Sequence, residues 1–156
     1  MNDLYVMAGL PGSGKSTIAQ KVKNTLRDTI IVSRDNVRFS MINKEDQYFA
    51  KEKEVFKTYI NKINQYLSEG YNVIADATHL NAASRNKLLK NIHGYNELVA
   101  IVADTSIEDC LKRNSKRSGR EKVPDEVIKN MANNFYKPSF KEGFDKIICI
   151  SCQEEG

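Results

Sequence analysis

Gly9-Leu10-Pro11-Gly12-Ser13-Gly14-Lys15-Ser16-Thr17 fits the pattern Gly, four residues, Gly-Lys-Ser/Thr, in which a glycine-rich turn cradles phosphate groups. Its surroundings decide the fold. Leu4-Tyr5-Val6-Met7-Ala8, just before it, is an apolar run that reads as a short buried strand; Ile18, Val22 and Leu26, just after it, share one helix face. Gly12 and Gly14 let the main chain bend so that successive N–H groups converge on phosphate oxygens, at a helix N-terminus whose dipole also favours an anion. The cradle is therefore assigned to Gly12, Ser13, Gly14, Lys15, Ser16 and Thr17. Within it Lys15 supplies a mobile positive charge for the outer phosphates, and the Ser16 hydroxyl a ligand for magnesium.

Outward from that loop, Thr29-Ile30-Ile31-Val32-Ser33 is a β-branched run and predicts a second strand, with Arg34-Asp35-Asn36-Val37-Arg38 leaving its C-terminal end. Val55, Phe56, Tyr59, Ile60, Ile63, Tyr66 and Leu67 recur at three- and four-residue spacing, which predicts a long helix stopping at Gly70, its aromatics packed in the core. Tyr71 to Ala75 predicts a third strand with Asp76 at its end. A helix follows from about Ala82 to Ile92, with Gly94 as its C-cap. Leu98 to Ala103 predicts a fourth strand, buried on both faces, and Lys146 to Ile150 a fifth. Helices are expected to begin at Ile107 and at Pro124-Asp125. Alternating strands and helices predict an α/β three-layer sandwich: a mainly parallel five-stranded sheet of the P-loop NTPase type, helices on both faces. In such sheets ligands bind beyond the strand C-termini, which gathers the phosphate loop, Asp35 and Asp76 at one edge.

The 156 residues fit one domain, 1–156, and the 40% apolar fraction suffices for a packed core. No basic patch leads into a long apolar segment, and the longest apolar run is too short to cross a bilayer; a cytoplasmic protein with no membrane partner is expected. Cys110, Cys149 and Cys152 are an odd number for a disulfide framework and too few for a structural zinc site; the Cys149/Cys152 pair reads as buried or edge thiols. A net charge of +4 is too mild to identify a nucleic-acid binder.

A phosphate loop holds a nucleotide without deciding whether its terminal phosphoryl goes to water, to another molecule, or nowhere. Asp35 narrows the choice, because a carboxylate at the end of the neighbouring strand can orient an acceptor hydroxyl and take its proton. Arg38, three residues on, shares a face with Asp35 if the chain turns helical, which sets an anion-binding guanidinium beside the acceptor. Between Lys112 and Lys122 six basic residues face one acid, Glu121, with Ser115, Ser118 and Gly119 making the segment pliable. Arg113 and Arg117 are four apart, so if the chain is helical there both point the same way; the segment reads as a lid, about 113–122, that closes over the triphosphate with one or two arginines stabilising charge on the transferring group. Asp76 either holds magnesium through water or caps a turn. His79 and His93 are isolated and read as structural or exposed. No aromatic cluster near Asp35 declares a base-stacking platform, although Phe39 and Tyr48 are nearby.

Four stretches in order carry a resemblance: Gly9 to Thr17; Ser33-Arg34-Asp35-Asn36-Val37-Arg38; Asp76-Ala77-Thr78-His79-Leu80-Asn81 with Arg85; and Lys112-Arg113-Asn114-Ser115-Lys116-Arg117 with Val123-Pro124. Together they resemble the kinase domain of bacteriophage and bacterial polynucleotide 5′-hydroxyl kinases. The resemblance implies ATP as phosphoryl donor, magnesium, and an RNA or DNA 5′-hydroxyl end as partner. It implies Asp35 as general base, Lys15 and Ser16 serving the phosphates and metal, Arg38 binding the acceptor phosphate, and Arg113 with Arg117 as lid arginines. Several relatives fuse this domain to a phosphatase or ligase, so end-healing by this chain alone is expected to be incomplete. The first two stretches also resemble adenylylsulfate kinase, and sugar-nucleotide kinases belong to the same wider group. A GTP-dependent switch is the remaining alternative. Asn43-Lys44-Glu45-Asp46 matches the guanine pattern, yet it follows only the second strand and no Asp-x-x-Gly accompanies it, which marks it as a decoy.

Overall fold

The computed structural model describes residues 2–151. Five strands, β1 (Leu4–Ala8), β2 (Thr29–Ser33), β3 (Asn72–Asp76), β4 (Leu98–Asp104) and β5 (Lys146–Ser151), form one sheet in the order β2-β3-β1-β4-β5. Every pairing is parallel. Strand β1 lies at the centre, with Leu4 opposite Val73 on one side and Leu98 on the other. Because side chains alternate along a strand, Leu4 and Val6 enter one hydrophobic layer while Met7 enters the other.

The layers follow from the helices that cover each face. Helix α1 (Lys15–Thr25) buries Ile18 and Ala19 against Met7, Ile74, Val99 and Ile101. On the opposite face α3 (Glu52–Ser68) and α4 (Ala82–Leu89) bring Tyr59, Ile63, Leu67 and Leu88 onto Leu4, Val6 and Val73. The aromatic stripe of α3 is core, with Tyr59 fully buried and Phe56 and Tyr66 packed at its margin. A smaller cluster of Leu10, Cys110, Val123 and Ile128 sits beneath α5 (Ile107–Ser115) and α6 (Asp125–Asn133). The short α2 (Arg34–Met41) springs directly from β2, its first turn capped by Ser33 Oγ, which accepts from the Asn36 amide at 3.2 Å.

The expected helix over 82–92 is shorter than its periodicity. Helix α4 ends at Leu89 with Lys90 as C-cap, and Gly94, at φ 84°, lies beyond it rather than capping it. Asn64 on α3 is the physical reason: its side-chain amide donates to the Asn91 carbonyl at 2.9 Å and accepts from the His93 amide at 3.0 Å, drawing the chain out of the helix. Ile92 still packs in the core, so the apolar spacing outlasts the helix. Strand β4 is buried from Leu98 to Ala103, as its apolarity requires. Cys110 is buried, Cys149 is exposed on the edge strand β5, and Cys152 lies outside the described residues. Among the described residues no helix is long and apolar enough to cross a membrane.

Candidate active site

The phosphate loop leaves β1 and enters α1 through Gly14, in the left-handed region at φ 94°. Gly12, at φ 81°, rests on the backbone of α5: a Cβ there would stand 2.5 Å from the Cys110 carbonyl oxygen. The loop is held from both sides, by the Gly9 amide donating to Thr78 O at 3.0 Å and by Thr105 Oγ1 donating to Ser13 O at 2.6 Å. Lys15 Nζ donates to the Leu10 carbonyl at 3.3 Å. Loss of water around this half-buried ammonium pulls its pKa below the ordinary lysine value, opposed by the charges of Asp76 and Asp35. A cation so placed, in a bend of main-chain amides at a helix N-terminus, fits an incoming polyphosphate.

Asp76 ends β3, the strand beside β1, and is buried. Ser16 Oγ donates to its Oδ2 at 3.1 Å. Burial raises the Asp76 pKa, while Lys15 and the Ser16 hydroxyl act against the rise. The pair Ser16 and Asp76 thus offers hard oxygens of the kind magnesium takes. Among the described residues no group of three or more His, Cys, Asp or Glu is arranged to hold a metal on protein ligands alone.

Ser33 pairs with Asp76 in the sheet register, so Asp35 emerges two residues past that level, in the first turn of α2. The helical turn that the sequence left conditional does form, and Arg38 Nη1 donates to Asp35 Oδ1. Arg38 is nevertheless not a freely presented guanidinium. It is 4% exposed, its Nη2 donates to both oxygens of Glu52 at 3.0 Å, and its Nη1 also reaches the Tyr48 hydroxyl at 2.8 Å. Glu52 pairs in addition with Arg34. Tyr48 donates its phenol to Asp35 Oδ1 at 2.5 Å; burial and the Asp35 carboxylate raise its pKa, which keeps that proton in place. The sequence noted Tyr48 only as an aromatic near Asp35 and did not single out Glu52: Tyr48 lies in a loop that carries no periodic signal, and Glu52 opens α3 ahead of its apolar stripe.

One cavity of about 470 Å³ is lined by Lys15, Ser16, Asp35, Asp76, Tyr48 and Arg117, among others. It unites the loop, both carboxylates and the basic segment. Arg113 and Arg117 do not share the helix face that their spacing would give on a continuous helix: α5 ends at Ser115, Lys116 is its C-cap, and Arg117 follows the helix while Arg113 lies in its last turn. Arg117 lines the cavity and Arg113 does not. Asn114, fully buried, clasps the base of the segment, donating to Val123 O at 2.5 Å and accepting from the Val123 amide at 3.0 Å. Its role has no signal in the sequence beyond its place inside a basic run.

The remaining candidates are structural. His79 is buried at φ 41°, its Nδ1 2.5 Å from Met7 O and its Nε2 3.3 Å from the Tyr59 hydroxyl, and burial lowers its pKa to about 4. His93 is exposed. In the guanine-like stretch, Asp46 accepts from the Asn43 amide at 2.8 Å, closing its own turn after α2.

A glycine loop between strand and helix, with its lysine facing a carboxylate at the neighbouring strand's end, defines a P-loop kinase. Residues 4–138 match the family described as AAA domain, and the chain belongs to that family. It is 30% identical, over 86% of its own length and 21% of the relative's, to a protein of Autographa californica nuclear polyhedrosis virus named a bifunctional polynucleotide kinase/RNA ligase. It is 30% identical to an L-seryl-tRNA(Sec) kinase of Methanococcus maripaludis, over 91% of this chain and 56% of the relative. An adenylyl-sulfate kinase of Lactiplantibacillus plantarum is also 30% identical, over 70% of this chain and 54% of its own. Among solved structures, a chain of the Pnkp1/Rnl/Hen1 RNA repair complex superimposes with a TM-score of 0.73 at 27% identity, covering 85% of this chain and 43% of that one. The present chain spans about half or less of each of these proteins. The likeness to polynucleotide kinases stands at the level of the family, and the relatives' acceptors are diverse.

Proposed function

We propose that this domain transfers the γ-phosphoryl of ATP to the 5′-hydroxyl of an RNA or DNA end, in the cytoplasm where ATP is supplied. The observation that carries the reading is the convergence of Lys15, Asp35 and Arg117 on one cavity at the strand ends. Main-chain amides from Gly12 to Thr17, with Lys15, hold the phosphates. Ser16 and Asp76 would hold magnesium, which when bound neutralises charge on the outer phosphates. Asp35 orients the acceptor hydroxyl and takes its proton, and Arg117 meets the charge that spreads onto the transferring group. Both terminal nitrogens of Arg38 are engaged by Glu52, Asp35 and Tyr48, and one of these partners must be exchanged for either nitrogen to reach an acceptor phosphate.

A small-molecule acceptor of the adenylylsulfate or sugar-nucleotide type is the second reading, favoured by the adenylyl-sulfate kinase likeness. Against it stands a second cavity of about 820 Å³ that shares Phe39, Tyr48, Glu121 and Val123 with the first, so the acceptor side opens onward instead of enclosing a metabolite. The chain incubated with labelled ATP and a panel of 5′-hydroxyl oligonucleotides, adenylylsulfate and nucleosides is expected to label the oligonucleotides. Label found only on a small metabolite removes the polynucleotide assignment.

A further inference from the structure

Beside Asp35 the structure assembles what the sequence did not declare: an aromatic wall of Phe39, Tyr48 and Phe49, all three lining the main cavity. The Tyr48 and Phe49 rings meet edge to face, 4.6 Å apart at 87°, and Phe39 meets Tyr48 at 6.2 Å and 71°. The Arg38 guanidinium lies 4.2 Å from the Tyr48 ring centre and 5.6 Å from that of Phe49. Tyr48 is fixed in turn by its hydrogen bond to Asp35. Phe49 is thus braced by an ordered ring and a buried cation, yet it remains 50% exposed in a cavity otherwise walled mainly by polar and charged groups.

Resting on the acceptor reading above, we propose that Phe49 is the platform on which the terminal nucleobase of the 5′-hydroxyl strand stacks. Three features argue for a base rather than a sugar or a sulfate. The platform is an aromatic face, which every nucleobase can stack on whatever its identity. It lies next to the carboxylate that receives the 5′-hydroxyl, joined to it by Tyr48 and Arg38, so one nucleoside can span both. The guanidinium against the wall makes the site suitable for a base whose flanking phosphate is anionic. An acceptor without a base gains nothing from Phe49, so the residue discriminates acceptors that carry a nucleobase from simple sugars, and the labelling panel above separates a nucleic-acid end from adenylylsulfate.

The test uses a 5′-hydroxyl oligonucleotide carrying 2-aminopurine as its first base, whose fluorescence stacking quenches. Wild-type protein is expected to quench it. Phe49→Ala is expected to abolish the quench and raise the KM for the oligonucleotide about tenfold or more, with the KM for ATP unmoved. Phe49→Trp is expected to keep both quench and affinity. Where alanine disturbs the fold, Phe49→Leu, apolar but without a π face, replaces it and is expected to lose the quench likewise. An oligonucleotide abasic at its first position is expected to bind wild type weakly and to be indifferent to Phe49→Ala. If wild type phosphorylates oligonucleotides while Phe49→Ala and Phe49→Leu quench and bind as wild type does, the platform is overturned and the acceptor reading survives. If wild type phosphorylates no oligonucleotide, both fall.

Discussion

Gly12 carries two constraints at once: a positive φ, and a neighbouring carbonyl where any Cβ would lie. Gly12→Ala must therefore either push the loop off α5 or strain the turn, and it is expected to lose measurable ATP binding by calorimetry along with a lowered melting temperature. Asp35 makes the opposite prediction. The carboxylate is exposed at the cavity wall and touches Arg38 and Tyr48, not the loop. Asp35→Asn is expected to cut turnover by about 10² to 10⁴ as a lost general base, with the ATP dissociation constant nearly unchanged. Retention of full turnover would remove Asp35 from the mechanism. Asp35 and Arg38 were legible because they sit three apart at a strand end, a position with meaning in a parallel sheet. The contacts of Tyr48 and Glu52 with that carboxylate or its arginine were not, since nothing local marks a loop tyrosine or a first-turn helix glutamate by what it will touch.

At the scale of elements, α4 is tied to the turn before β5 by one buried ion pair: Arg85, fully buried, donates Nε to Glu142 Oε1 at 2.6 Å and Nη1 to His79 O at 2.7 Å. Burial pushes the Glu142 carboxyl up, but the hydrogen bonds from Arg85 and Ser139 outweigh it and hold the pKa below the usual value. Glu142→Ala strands a guanidinium in the interior and is expected to cost about 3 to 5 kcal/mol in urea unfolding. The His79 loop adds a pH dependence. Its folded pKa, about 4, lies below the ordinary 6.5, so the unfolded chain takes up the proton first as pH falls. The stability is complete above pH 6.5 and declines down to about pH 4, a loss on the order of 3 kcal/mol. Urea midpoints followed from pH 7.5 to 4.5 are expected to fall, and to fall less in His79→Gln. Elements with a strong period were legible throughout; the end of α4 was not, because Asn64 on another helix decides it.

Across the whole molecule, the cavity is closed by two walls that never meet in sequence. One is α2 with its aromatic loop; the other is the basic segment after α5, which brings Arg117 to the lining. The sequence located both walls, and the shared face that Arg113 and Arg117 would have on a helix does not form because α5 ends between them. Asn114 supplies what the helix does not. By binding both the amide and the carbonyl of Val123, it pins the neck of the segment while residues 116–122 arch beyond it. A segment pinned at its neck can swing its tip toward the phosphates without loosening the cluster of Leu10, Cys110 and Ile128 beneath. ATP is therefore expected to slow amide hydrogen exchange over 116–122 and leave β4 unchanged. Arg117→Ala is expected to lower turnover on the order of a thousandfold, the scale of a lost arginine finger, with a much smaller change in the KM for ATP. Asn114→Ala frees the neck, so it is expected to raise exchange across 116–123 even with ATP bound and to lower turnover while Arg117 is intact. Exchange and turnover indifferent to both substitutions would show that the segment is a solvated basic face, and the charge on the transferring group would have to be met by Lys15 alone.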